Sequence, residues 1–164
     1  MTADPQLQLL TDRAAISDVL HRYATGLDTR DWTLYRSIFT DEVEMDFSSI
    51  GMAAGRMSAD DWVDSARVLF AGFDATQHLS ANHVHDIRGD EATCTSYMRA
   101  EHFVLTSEGE NYYTMGGYYI NRLVRTPEGW KLAAVTLTVT WNRGNRHVLR
   151  LAARRGRERL GQSS

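Results

Sequence analysis

The chain has 164 residues, a formal net charge of −3 and 43% hydrophobic residues. This length suits one domain with a sizeable core, and the charge balance excludes the dominant basic face that nucleic-acid binders carry. A single cysteine, Cys94, excludes a disulfide framework and indicates a buried thiol in a reducing compartment. The sequence shows neither a signal peptide nor an apolar run of about 18 residues, so we expect a cytoplasmic protein without membrane contact.

The first part of the chain predicts three helices. Apolar residues recur at three- and four-residue spacing over residues 7–27, which is typical of a helix with one buried stripe. A short second helix is expected over residues 31–39, with Asp31 or Thr29 as its N-cap. A segment that resembles a capping box begins a third helix over residues 58–70. Helices therefore dominate the N-terminal half.

After Gly72 the hydrophobic pattern changes to the alternation of strands. Residues rich in Thr, Val, Tyr and Ile form four segments separated by turns that contain glycine, at 76–87, 91–106, 111–125 and 130–142. Such spacing is typical of an antiparallel meander, and residues 43–47 add a further strand. Helices followed by strands predict an α+β fold, with three N-terminal helices packed on one face of a curved, mostly antiparallel sheet.

We predict a single domain over residues 1–142, followed by a basic C-terminal tail over 143–164 that forms a helix. Seven arginines and one acid lie between residues 143 and 159. Such a tail could touch RNA or a membrane surface, but on an acidic domain it is more typical of a solvated helix or a subunit contact. We therefore expect neither nucleic acid nor membrane as a partner.

Asp28 and His78 are the strongest candidates for chemistry. Asp28 follows the end of the first predicted helix, where the helix dipole disfavours an acid, so it needs a compensating interaction. A carboxylate that orients an imidazole makes a general base, and the two residues together suggest proton abstraction inside a cavity. The structural alternative is that Asp28 begins a turn over residues 28–31 and bonds its own downstream backbone.

Two further candidates are Tyr23 and His102. Tyr23 lies on the helix of Asp28, where its phenol could donate to a developing oxyanion; alternatively, it is a core aromatic at the pocket edge. His102 shares one face of its strand with small residues and is expected to project into the cavity. The alternative for His102 is a buried imidazole that bonds a backbone carbonyl.

His83 and His85 form a His-x-His pair on the strand of His78. In a regular strand they share a face opposite to that of His78, and we expect them to face solvent or an interface. A catalytic zinc needs a third protein ligand, and none follows at a recognisable spacing. We therefore predict no metal and no other cofactor.

The order of these elements resembles the SnoaL-like group of the nuclear transport factor 2-like superfamily over residues 11–141. The resemblance is carried by residues 13–24, Asp28 with Trp32, residues 39–43, His78 with Asn82, and residues 117–122 ahead of 129–131. It implies a cone-shaped α+β barrel in which three helices and a strongly bent sheet enclose a pocket. Dehydratases, isomerases, cyclases, epoxide hydrolases and binding modules share this scaffold, so the fold alone does not imply one function.

Within that group, Asp28 and His78 match the dyad of the hexachlorocyclohexane dehydrochlorinases and bile acid dehydratases. Tyr23 and His102 lie near a tyrosine and a histidine that the scytalone dehydratases use. The resemblance implies a cofactor-independent lyase of the dehydratase type that takes a proton from a hydrophobic cyclic small molecule. The alternatives are a polyketide cyclase or ketosteroid isomerase-like enzyme, and a noncatalytic ligand-binding or assembly module.

Several large side chains are candidates for the wall of the pocket. An apolar chamber suits a ring-shaped substrate, and a basic residue past the last strand lies near one that the bile acid dehydratases carry. The candidates are Tyr35, Met45, Met98, Met115, Tyr119, Trp141 and Arg143. Exposed aromatics on the convex sheet face also predict a homo-oligomer, and the relatives in this group favour a trimer over a dimer.

Overall fold

The protein, seen in a computed structural model, is described over residues 4–161. Helices fill the N-terminal part of this range and strands most of the remainder. This agrees with the helical spacing of apolar residues before Gly72 and their strand-like alternation after it. The helices are α1 (Pro5–Thr29), α2 (Trp32–Ser37), α3 (Ala59–Ala71) and α4 (His147–Arg159), with a 3₁₀ turn at Ser48–Ile50. The strands are β1 (Phe39–Asp46), β2 (Gly55–Ser58), β3 (Ala75–Arg88), β4 (Glu91–Phe103), β5 (Tyr112–Thr126) and β6 (Gly129–Gly144).

All six of these strands belong to one sheet in the order β2-β1-β6-β5-β4-β3. Neighbouring strands pair antiparallel, except that β1 and β6 run parallel. The inner face of the sheet packs against α1, α2 and α3 and contributes to a core that includes Ile16, Tyr35, Leu123 and Leu132. The predicted α+β architecture, with three N-terminal helices on a curved, mostly antiparallel sheet, is confirmed.

The ends of α1 determine where its functional residues lie. The Asp4 side chain accepts a hydrogen bond from the Gln6 backbone N–H at the start, and the helix extends two residues beyond the predicted end. Arg30 then takes a left-handed conformation with a φ of 57° and ends the helix. Its guanidinium donates to the backbone carbonyls of Asp28 and Phe70, which ties the end of α1 to the end of α3.

Two of the irregularities in the sheet change the direction of side chains that the sequence singled out. In β3 the register shifts between Ala81 and Val84, and Asn82 has a φ of 52°. This bulge places His83 and His85 on the inner face together with His78, so the expectation of opposite faces in a regular strand was wrong. A second shift pairs Gly116 with Trp141 but Gly117 with Val139, which leaves Thr140 as the extra residue of β6.

The C-terminal segment contributes to the core. Strand β6 passes the predicted boundary at residue 142 and ends at Gly144, and α4 buries Val148, Leu151 and Ala152. Glycine lets α3 and α4 approach closely, because a Cβ on Gly72 would lie 1.8 Å from the Ala152 carbonyl oxygen. The short strand β2 was absent from the sequence-based prediction. None of the helices over residues 4–161 is long and apolar enough to cross a bilayer.

Candidate active site

The structure brings Asp28 and His78 together. Asp28 Oδ1 lies 2.7 Å from His78 Nδ1, and Asp28 Oδ2 accepts the His78 backbone N–H at 2.7 Å. The Thr76 hydroxyl donates to Oδ1 at 2.9 Å. The His78 side chain is only 8% exposed and that of Asp28 20%. The Asp28 carboxylate thus accepts hydrogen bonds from residues of β3 and not from the backbone of its own downstream turn.

The hydrogen bonds of Asp28 keep its carboxylate ionised. Burial favours the protonated form, but the bonds from His78 and Thr76 outweigh that effect and lower the pKa of Asp28 below its usual value. An ionised Asp28 can only accept a hydrogen bond, so His78 Nδ1 carries the proton and donates, and in the neutral ring the lone pair is on Nε2. Among the described residues no side chain or backbone group bonds Nε2, and the ring lies in a cavity wall.

The cavity beside His78 has a volume of about 260 Å³ and lies between α1, α3, α4 and the inner sheet face. Most of its wall is apolar, and a few polar groups converge near His78, which is the usual composition of a small-molecule site. Its wall includes Tyr23, Tyr35, Trp62, Phe70, His78, His102, Met115, Tyr119 and Leu149. This chamber is large enough for a small ring system.

His102 is buried beside His78. Its ring centroid lies 5.5 Å from that of His78 and 5.0 Å from that of Phe73. Burial lowers the pKa of His102 to about 4, so the ring is neutral near pH 7. Nδ1 lies 3.3 Å from the Tyr113 backbone carbonyl, which can only accept, so Nδ1 carries the proton and Nε2 is an acceptor. The position of His102 is as expected, but its free nitrogen cannot donate to an oxyanion.

Three tyrosines pack together in the cavity wall. The Tyr23 ring centroid lies 5.2 Å from that of Tyr35 and 5.7 Å from that of Tyr119, and Trp62 Nε1 donates to the Tyr35 hydroxyl at 3.0 Å. Burial raises the pKa of Tyr23, Tyr35 and Tyr119, so all three phenols keep their protons. The group can therefore donate to a substrate oxygen. Gly26 lets α1 approach α2 closely, because a Cβ there would lie 2.9 Å from Tyr35 Cβ.

The remaining predicted wall residues divide into two sets. Met115 lines the main cavity, and Met98 lines a smaller adjoining one that His78 also borders. Three others lie elsewhere, contrary to expectation. Met45, a residue of β1, is buried in the hydrophobic core, and Trp141 is 48% exposed on the outer sheet face. The guanidinium carbon of Arg143 lies 6.0 Å from the centroid of the Tyr112 ring. The bulge at Thr140 explains the outward direction of Trp141.

Several wall residues were missed. Trp62, Ala66 and Phe70 repeat at four-residue spacing in α3, so this helical stripe was a usable signal for one side of the cavity. Leu149 was hidden in the arginine-rich segment, because composition alone suggested a solvated helix. Thr76 carried no separate signal in the sequence, although its hydroxyl bonds Asp28.

Solved structures with this architecture include proteins of very different sequence. The Kfla4162 protein from Kribbella flavida is 35% identical, with a TM-score of 0.82 over 87% of this chain and 99% of that one. Hexachlorocyclohexane dehydrochlorinase LinA-type3 from Novosphingobium barchaimii is 18% identical, with a TM-score of 0.71 over 86% of this chain and 94% of its own. At that identity the likeness shows the fold alone.

Sequence comparison also connects the chain with an enzyme. Scytalone dehydratase arp1 from Aspergillus fumigatus is 30% identical over 145 residues, which cover 80% of this chain and 83% of the relative. An uncharacterised protein of Mycobacterium tuberculosis is 23% identical over 124 residues, or 75% of this chain and 82% of that protein. The relatives in sequence thus include a scytalone dehydratase. The profile of the SnoaL-like domain matches residues 8–136, and the chain belongs to this family.

Proposed function

We propose that this protein is a cofactor-independent lyase of the dehydratase type, acting on a hydrophobic cyclic small molecule. The observation that carries the proposal is the 2.7 Å contact between Asp28 Oδ1 and His78 Nδ1 in the wall of a largely apolar cavity. Asp28 fixes the tautomer of His78, so that Nε2 faces the chamber as a base. A chamber that excludes water strengthens the hydrogen bond between Asp28 and His78, and the ionised carboxylate stabilises the charge that develops on the ring.

In the proposed reaction, His78 Nε2 takes a proton from a substrate carbon. The electron pair of that C–H bond forms the new double bond, and the leaving group departs with the electrons of its own bond. The ionised Asp28 stabilises the imidazolium that forms, and so acts as a positioning residue. The Tyr23, Tyr35 and Tyr119 group donates to a substrate oxygen. His102 Nε2 accepts from a substrate hydroxyl and orients the ring.

The structure of the wall favours an enzyme over a noncatalytic ligand-binding module. Burying an ionised carboxylate is costly unless several donors compensate, and a simple apolar binding pocket has no need of one. Asp28 receives three such donors and directs His78 towards the cavity.

Isomerisation or cyclisation could use the same base. The mass of the product separates these reactions from elimination, because only elimination releases water or another small leaving group.

The test uses cyclic ketones that carry a hydroxyl β to the carbonyl. We expect a product lighter by one water, and its formation should slow when the carbon between the two groups carries deuterium in place of hydrogen. Replacing His78 with Gln should lower kcat by roughly 10²- to 10⁴-fold, and Asp28→Asn should act mainly on kcat. Tyr97→Phe, on the outer sheet face, is the control and should keep the wild-type rate. Full activity in both dyad variants would leave the pair with a structural role only.

A further inference from the structure

A second histidine cluster lies on the inner face of β3, beyond the bulge and apart from the main cavity. His83 Nε2 contacts the Ser80 hydroxyl at 2.8 Å, and His83 Nδ1 contacts the Ser17 hydroxyl at 2.9 Å. His85 Nε2 shares the same Ser17 hydroxyl at 3.0 Å. Three of the four ring nitrogens therefore bond serines of α1 and β3. The proposed lyase chemistry uses none of these residues.

The fourth ring nitrogen, His85 Nδ1, is buried and has no hydrogen-bond partner among residues 4–161. An unpaired buried polar atom is costly and calls for an explanation such as a bound ion. Cys94 pairs with His85 across β3 and β4, and its side chain is fully buried on the same inner face. Cys94 Sγ and one nitrogen each of His83 and His85 lie within 4.8 Å of one another.

We propose that His83, His85 and Cys94 form a binding site for a borderline-soft divalent cation of the Zn²⁺ class. Two imidazoles and one thiolate are a ligand set that zinc accepts, with a fourth position open to water. Ligand atoms around tetrahedral zinc lie about 3.3–3.7 Å apart, so the three side chains need to close by at most about 1.5 Å, and His83 exchanges one of its two serine hydrogen bonds for the cation. The bulge at Asn82 makes the site possible, because it alone brings both histidines to the face of Cys94.

The surroundings suit ligation by these side chains. Burial lowers the pKa of both histidines. The nearby His21 lowers the pKa of His83 further, and the nearby Arg13 lowers that of His85 further. Both rings therefore favour the neutral form, which is the form that binds a metal. A cation on His85 Nδ1 leaves Nε2–H to donate to Ser17, the arrangement that orients metal-bound imidazoles. The Cys94 thiol, whose pKa burial raises to about 11, gives up its proton to solvent as the metal–sulfur bond forms.

Cobalt(II) tests the proposal directly, because thiolate ligation gives a charge-transfer band in the near ultraviolet. We expect wild-type protein, kept reduced with a phosphine, to bind one equivalent with this band and to release one proton per cation. Cys94→Ser should abolish the band, and His85→Gln should weaken binding by at least about tenfold. His147→Gln, a histidine of α4 that pairs with Glu108, is the matched control and should bind as the wild type.

The readout is independent of catalysis, so it separates this inference from the proposed lyase activity. A wild-type spectrum without the thiolate band, or a band that persists in Cys94→Ser, would overturn the site. If Cys94→Ser fails to fold, His85→Gln tests the site instead. This variant keeps the thiol and should bind cobalt(II) more weakly than the wild type. Zn²⁺ should also raise the Tm of the wild type and of His147→Gln, and raise that of His85→Gln less at the same concentration.

Discussion

Asp28 lies in the last turn of α1, where the negative end of the helix dipole opposes a carboxylate. Donors from Thr76 and from the side chain and backbone of His78 compensate for this position and for partial burial. The carboxylate is therefore held by the sheet rather than by its own helix. A charge placed against its local preference in this way supports the role proposed for Asp28 in the cavity.

A second buried carboxylate, Asp12, gives a prediction about pH. It accepts two hydrogen bonds from Arg125 and one from Trp130 Nε1, and the Arg125 bonds hold the pKa of Asp12 well below its ordinary value. The unfolded-state value is about 3.9, so these contacts contribute their full stability above that pH. The contribution is lost as the pH falls through the folded pKa. We expect the free energy of unfolding, measured with urea, to fall from about pH 5 downwards.

Two variants isolate that effect. Asp12→Asn should lower the free energy of unfolding at pH 7 by about 1.5–3 kcal/mol, as for lost hydrogen bonds to a charge, and should flatten its decline in acid. Arg125→Gln removes the main cause of the low pKa and should flatten the acid decline as well. An acid decline that stays as steep in both variants as in the wild type would contradict the role given to Asp12.

At the scale of elements, the two bulges decide what the sheet presents to the cavity. One extra residue in a strand reverses the direction of every later side chain. The bulge in β3 turns His83 and His85 inward, and the one in β6 turns Trp141 outward. The predicted alternation along β3 was correct up to the bulge and wrong beyond it.

The contact between α3 and α4 gives the second prediction at this scale. A Cβ at Gly72 would lie 1.8 Å from the Ala152 carbonyl oxygen, and one at Gly156 would lie 1.7 Å from that of Val68. Gly72→Ala should therefore force the helices apart and cost about 1–3 kcal/mol of unfolding free energy. Equilibrium denaturation with urea measures this change.

Gly55→Ala in β2 serves as the matched control, because a Cβ added at Gly55 would have no heavy atom within 4 Å. It should change the free energy of unfolding by less than about 0.5 kcal/mol. Equal stability of Gly72→Ala and Gly55→Ala would show that α4 can move away without cost, and that its packing does not hold the cavity wall formed by Leu149.

At the scale of the whole molecule, the outer sheet face carries exposed apolar side chains. Leu79, Tyr97 and Trp141 border one surface cleft and are 53%, 59% and 48% exposed. We propose that this face packs against further copies of the chain, because contiguous apolar patches are rare on monomers. The resemblance to the SnoaL-like group favours a trimer over a dimer. Light scattering should then give three times the 18.6 kDa of one chain.

Charge on that face should disrupt the assembly. Trp141→Glu and Tyr97→Glu place a carboxylate in the proposed contact, and each should shift the measured mass towards one chain at micromolar concentration. Asp64→Lys, an exposed change on α3 away from the sheet, should leave the mass unchanged. A wild-type mass of one chain would overturn the proposed oligomer.

The sequence by itself was enough to predict the α+β class, the order of the helices and of the strands other than β2, and the two residues on which the proposed chemistry depends. Helical and strand periodicities are local, and an acid at the end of a helix stands out without coordinates. The chain pattern also predicted that Tyr23 and His102 would lie at a cavity, and both line it.

Only the tertiary structure decided which way the side chains after each bulge point and which distant groups meet. The αL conformation of Asn82 is held by packing and strand register, which composition does not encode. Strand pairing likewise places Cys94 beside His85, and helix packing places Leu149 in the wall of the cavity. These contacts depend on register and docking between remote segments, so no local pattern in the chain could predict them.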